Sequence, residues 1–184
     1  MAMLCKVTDD RMQTRGGFQW TLGVWREATG YNENLCSDGW IHCYDHPLIA
    51  MLMMPTHVGW LSPRLFACEG RGERADDAGL KCGYKGVRLL HELDKPNITD
   101  VQRIAFSLLC ARSVCHEPEF NLWVNEWLEN SFVAIAAVTY DKDRDEEWDE
   151  DLREVVAESV QAMLSNRGLG VDVIALAETA VREY

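Results

Sequence analysis

Cys36, His42, Cys43 and His46 fall within Leu35–Pro47, LCSDGWIHCYDHP, beside Asp38, Trp40 and Asp45 around a Ser-Asp-Gly turn. Imidazole nitrogens and thiolates are ligands that zinc accepts. A cysteine near a histidine is also the pairing of nucleophilic thiol catalysis. Spacing weighs against both. Pro47 suits the first position of a helix, so His42 and His46, although four apart, need not share a helical face. If Trp40–Cys43 is a strand, Cys43 points to the opposite face from His42. A turn, a packed tryptophan and two ordinary histidines explain the same residues, and no metal ligand is assigned. Cys115-His116, near a helix end, reads as a buried thiol beside a solvated imidazole, so no catalytic thiol is assigned either.

Three other stretches have the look of chemistry. Asp141-Lys-Asp-Arg-Asp145 starts like a calcium loop, with acids at positions one, three and five. It then carries Glu146 where the sharp turn needs Gly and Leu152 where the bidentate Glu belongs. Gly70–Arg74 (GRGER) lacks the Lys-Ser/Thr and the following helix of a phosphate loop. Phe120, Trp123, Val124, Trp127 and Leu128 form an i, i+3, i+4, i+7, i+8 stripe, which is how a helix covers a core. What remains is charge. Residues 141–151 hold eight acids, Asp141, Asp143, Asp145, Glu146, Glu147, Asp149, Glu150 and Asp151. Such a run either solvates the approach to a helix or, as a carboxylate array imitating a phosphate backbone, occupies a basic groove on a protein partner.

The whole chain narrows the choices. Its 184 residues, 47% of them apolar, suffice for one good core with a helical appendage. Thirty acids against 18 bases argue against direct nucleic-acid binding, which needs clustered Lys and Arg. The excess is uneven: residues 139–184 carry a net charge of −8 of the total −12. Seven cysteines without a CxxC pair, no leader-like N-terminus and no apolar run of about 18 residues lead to the expectation of a reduced, cytoplasmic protein with no membrane span and no cofactor.

The elements that must position these residues change in kind near residue 95. Before it, Met3–Val7, Gly17–Trp20, Val24–Glu27, Trp40–Cys43, Arg64–Glu69 and Val87–Leu93 read as short strands. Pro47 starts a helix limited by Pro55, and the polar Gly70–Gly79 reads as a hairpin-like loop. After it, Thr99-Asp-Val-Gln102 is a capping box opening a helix, and Pro118 restarts a second one. Asn130-Ser131 reads as an interruption, with Phe132–Val138 open between helix and strand. Glu150–Ser165 is helical, Gly168 or Gly170 stops it, and Asp172 caps a last helix to Tyr184. The expectation is an α+β protein: a small twisted antiparallel or mixed sheet module over 1–95, then a helical region over 96–184. Amphipathic helices such as 150–165 and 172–184 serve as homodimer surfaces or as lids on a core.

The succession RGGFQW (15–20), LGVW (22–25), LCSDGWIHCYDHP (35–47), RLFACEGRGE (64–73) and VRLLHEL (87–93) resembles an uncharacterised bacteriophage and prophage family. ITDVQRIAFSLLCA (98–111) and WVNEWL (123–128) match the helices that follow the module in several of its members, so the resemblance covers roughly 3–130. It implies a phage accessory protein working in the host cytoplasm, and it transfers no catalytic residue. With the acidic run, the expectation is a non-enzymatic protein that binds a basic or nucleic-acid-binding host protein, such as a nucleic-acid-targeting defence complex. A virion or assembly component is an alternative. An enzymatic alternative rests on Gly39–His42 before a helix and on Phe66–Glu69, which look like the strand-helix element of ADP-ribosyltransferase-like folds. That likeness would place Arg15, His42, Tyr44 and Glu69 around a nicotinamide cleft.

Overall fold

Strand pairing builds the N-terminal half around one long hairpin. The computed structural model describes residues 3–54, 60, 62–138 and 171–184, and the chain divides into two units, Met1–Asn97 and Ile98–Tyr184. In the first unit β1 (Cys5–Thr8) pairs antiparallel with β6 (Arg64–Asp77), which pairs antiparallel with β7 (Lys81–Leu93). The far side of β7 carries two short strands in line, β4 (Trp25–Glu27) and β5 (Ile41–Cys43). Just past β5, Tyr44 bridges back to Cys5 of β1 through N–H···O bonds of 2.7 and 2.9 Å. The ladder β1–β6–β7–β5 therefore returns to β1 through this one bridge, closing a small barrel. A separate two-stranded ribbon joins β2 (Gln13–Thr14) to β3 (Phe18–Gln19) across the 3-10 turn Arg15–Gly17.

Trp20, Cys43, Phe66, Cys68, Cys82, Val87 and Leu89 pack together as a buried core. Lys6 stands opposite Phe66 in the β1–β6 register, so it faces the same side as that core. On the other side of β1 and β6, Cys5, Val7, Leu65 and Ala67 are buried as well, and α1 (Pro47–Leu52) packs beside β1.

Most of Gly70–Gly79 is strand, and only its end is turn. β6 continues to Asp77, and the turn shrinks to residues 78–80, where Ala78 and Gly79 take positive φ values of 50° and 77°. The strand is hidden in the sequence because residues 69–76 are mostly exposed, and a ribbon wet on both faces has no apolar alternation to reveal it. Ion pairs between elements mark it instead: Glu69 with Arg88, Arg71 with Glu27 and Arg74 with Asp45. Gly86 lies under the second of these. A Cβ there would sit 2.7 Å from Glu27 Oε2 and 2.9 Å from Arg71 Cγ.

The second unit contains α2 (Asp100–Val114), α3 (Pro118–Val138) and α4 (Val173–Glu183), with α2 packed against both of the others. The capping box forms: Thr99 Oγ1 accepts from Gln102 N at 3.2 Å, and Gln102 Oε1 accepts from Thr99 N at 2.9 Å. Gln102 Nε2 also donates to Val181 O at 3.0 Å, tying the start of α2 to the end of α4. Asp172 caps α4 by accepting from Ile174 N and Ala175 N. Asn130-Ser131 does not interrupt α3. Asn130 Nδ2 donates back to Glu126 O at 2.7 Å, a bond that holds a turn-former inside a helix. Phe132–Val138 resolves as helix. These sheets and helices make an α+β fold. Among the described residues no helix is long and apolar enough to cross a membrane. The helix expected over Glu150–Ser165 lies outside the described residues.

Candidate functional site

The segment before β5 folds on itself through its own polar side chains. Asn32 Oδ1 accepts from Asn34 N and Asn34 Oδ1 from Cys36 N, both at 2.9 Å, which are successive Asx turns. Ser37 Oγ donates to Asn34 O at 2.6 Å and accepts from Gly39 N at 3.2 Å. Gly39 is needed for closeness, because a Cβ on it would lie 2.2 Å from Asn32 O. Trp40 Nε1 donates to Glu33 O, and Lys85 Nζ reaches over from β7 to Gly39 O at 2.9 Å, 3.8 Å from the Trp40 ring. Gly83 of β7 gives Leu35 and Trp40 their seat; a Cβ there would meet Leu35 Cδ1 at 2.5 Å.

This corner sends its four chemically capable groups to four environments. His46 caps α1, its Nδ1 accepting from Leu48 N at 3.2 Å. His42 Nε2 contacts Leu35 O, to which the neutral ring donates. Burial lowers the His42 pKa below its ordinary value; the Leu35 carbonyl opposes the shift, and the Lys81 and Lys6 charges add to it. Cys36 is exposed, with Lys81 Nζ 3.1 Å from its sulfur. Cys43 points inward. Among the described residues no group of three or more His, Cys, Asp or Glu side chains is placed to hold a metal ion.

The convergence lies inside the barrel. Cys68 Sγ donates to Cys43 Sγ at 3.8 Å; Cys82 is buried in the same core, and Cys5 is buried on the other side of β1. Lys6, only 7% exposed, donates from Nζ to the His42 carbonyl at 2.7 Å and stands 4.9 Å from the Trp20 ring centre. Trp20 in turn donates from Nε1 to Thr14 Oγ1 at 3.1 Å. Burial pushes the Cys5 thiol up to about 12 and raises Cys82 as well. Cys68, as the donor of the pair, is raised by its bond to Cys43 and by burial. Burial works against a Cys43 thiolate too, but the Cys68 S–H and the Lys6 ammonium outweigh it and make Cys43 the more acidic partner. This Lys6–Cys43–Cys68 grouping was missed in the sequence. Its one local signal is Lys6 between the apolar neighbours of Cys5-Lys-Val7.

The nominated ADP-ribosyltransferase-like residues are distributed as follows. Arg15 opens the 3-10 turn, and its side chain lies outside the described residues. Tyr44 closes the barrel through its backbone, and burial raises its phenol pKa. Glu69 is exposed and pairs with Arg88. His42 stands opposite Gly83 of β7, and Glu69 opposite Arg88, from the other side of that strand. Five residues of strand separate the two positions by about 17 Å, so the register does not bring His42 and Glu69 to one cleft. The acidic residues Asp141, Asp143, Asp145, Glu146, Glu147, Asp149, Glu150 and Asp151 lie outside the described residues.

No curated protein and no solved structure matches the chain. Residues 2–101 match the family described as Domain of unknown function (DUF7666), and since that span is more than half of the chain, the protein belongs to this family.

Proposed function

We propose that this is a non-enzymatic binding protein whose acidic C-terminal residues dock into a basic surface of a partner protein. The observation that carries the reading is the segregation of charge. Residues 1–97 hold 12 acids and 11 bases, while residues 98–184 hold 18 acids and 7 bases. Within the latter, residues 141–158 contain ten acids and three bases. In the first unit, ion pairs consume charge between strands: Glu69–Arg88 and Arg64–Glu92 join the neighbours β6 and β7, and Arg71–Glu27 reaches from β6 over β7 to β4. A carboxylate array next to a nearly neutral module is suited to a groove that otherwise accepts phosphates. The resemblance to phage and prophage proteins supports a host protein as partner and the host cytoplasm as the place of action. A nucleic-acid-targeting defence complex is the partner class that offers such a groove.

The test is affinity capture from host lysate with the full chain, followed by titration of the captured protein at rising salt. Electrostatic docking requires that affinity fall steeply with salt. It also requires that Ala at Asp143, Asp145, Glu146, Glu147 and Asp149 together weaken binding at least tenfold. Unchanged affinity and salt dependence in that variant would overturn the reading.

A further inference from the structure

We propose that Cys43 and Cys68 are a peroxide-oxidisable dithiol that closes to a disulfide inside the barrel, a modification site separate from the acidic docking segment. Their sulfurs are already at van der Waals contact, 3.8 Å, and come from strands that are not ladder neighbours: β5 pairs with β7, and β6 lies between β1 and β7. A bond between them would tie β5 to β6 across the interior and close a loop over residues 44–67. Three further features favour this pair over the other buried thiols. Cys68 keeps 6% of its surface exposed whereas Cys5, Cys43 and Cys82 keep none, so among these four it lies nearest to solvent. The Lys6 ammonium sits on the His42 carbonyl, one residue from Cys43, and favours a thiolate there. The sulfur of Cys82 is directed at Asp45 Oδ1, 3.8 Å away; that carboxylate opposes a thiolate at Cys43 as well, but there the Cys68 S–H and Lys6 outweigh it, whereas the Cys82 thiol stays raised.

The step balances with hydrogen peroxide as the oxidant. The Cys43 thiolate attacks one peroxide oxygen, the O–O bond breaks, and the departing hydroxide takes up the proton lost by Cys43 to become water. The Cys68 sulfur then attacks the sulfenic sulfur of Cys43; the S–S bond forms, the S–O bond breaks, and the hydroxyl leaves with the Cys68 proton as a second water. Two thiols and one peroxide yield one disulfide and two waters.

The test uses the full chain carrying Cys36→Ser, which removes the exposed thiol without touching the interior. The folded protein is treated with a small excess of hydrogen peroxide, then denatured, alkylated with N-ethylmaleimide and mapped by mass spectrometry. The expected result is loss of labelling at Cys43 and Cys68, with a linked peptide pair that separates on reduction, and a higher urea midpoint that dithiothreitol reverses. Cys43→Ser and Cys68→Ser each abolish the linked pair. Because the mapping is read on a chain with both thiols intact, a poorly folding variant does not decide the outcome. Full labelling of Cys43 and Cys68 after peroxide, or a linkage of Cys43 to Cys82 or Cys5, would overturn the proposal.

Discussion

Lys6 Nζ donates to the backbone carbonyl of His42 at 2.7 Å, joining β1 to β5 across the inside of the barrel. The side chain is buried, and its ammonium stands 4.9 Å from the Trp20 ring centre and on a carbonyl dipole rather than in water. Removing the lysine therefore takes away packing and a charge-assisted bond together, and leaves the carbonyl without that donor.

Lys6→Ala is expected to destabilise the first unit by about 2–4 kcal/mol and Lys6→Met by about 1–2 kcal/mol, since methionine restores the stem and not the bond. Urea unfolding followed by tryptophan fluorescence measures both. Equal losses would mean that the hydrogen bond carries the whole effect and the stem none.

The depressed pKa of His42 makes stability depend on pH in a defined direction. Below its ordinary value of 6.5 the unfolded chain takes up a proton that the folded chain refuses, so the unfolded state binds more protons and stability falls as pH falls. The slope for this single group is at most about 1.4 kcal/mol per pH unit. It begins near 6.5 and ends once the folded ring is protonated. His42→Gln, an uncharged side chain of similar reach, is expected to lose less stability between pH 7 and pH 5. Equal slopes in the two proteins would show that another group is responsible.

Three glycines admit close neighbours at different cost. At Gly39 a Cβ meets the Asn32 backbone oxygen, and at Gly83 it meets Leu35 and the Trp40 Cβ. At Gly86 the nearest atoms belong to the half-exposed side chains of Glu27 and Arg71, which can shift toward water. Gly39→Ala and Gly83→Ala are expected to cost about 1–3 kcal/mol each, and Gly86→Ala about 1 kcal/mol or less, within the range of an exposed ion pair. Urea midpoints of the three variants give the order, and a Gly86 variant as damaging as the other two would contradict it.

Gln102 does two jobs in the second unit, completing the capping box and binding Val181 O at the end of α4. Thr99→Ala removes the cap alone and is expected to cost about 1 kcal/mol. Gln102→Ala is expected to cost more than Thr99→Ala and to speed amide exchange at the C-terminal end of α4, which Thr99→Ala leaves unchanged.

Local rules with local causes were legible in the residues alone. Thr99 and Gln102 cap α2, Asp172 caps α4, and Pro47 opens α1 because caps and first turns are settled by side chains within three residues of the backbone groups they satisfy. The same locality explains why His42 and Cys43 read correctly as opposite faces of one strand. The reading failed where solvation replaced patterning: Arg71–Asp76 carry the polarity of a loop, and only pairing with β7 makes them strand. Asn130 similarly signals a break that its own bond to Glu126 prevents.

The sequence by itself determined the α+β class, the change to helix after Pro96, the caps, and the concentration of acid in the last third of the chain. Only the tertiary structure decided that β5 returns to β1 through Tyr44 and Cys5, and that Lys6, Cys43 and Cys68 meet inside the resulting barrel. The physical reason is range. A cap is fixed by neighbours in the chain, whereas Cys43 reaches Cys68 across 25 positions, and Lys6 reaches His42 across 36, through strand pairings that no single segment encodes.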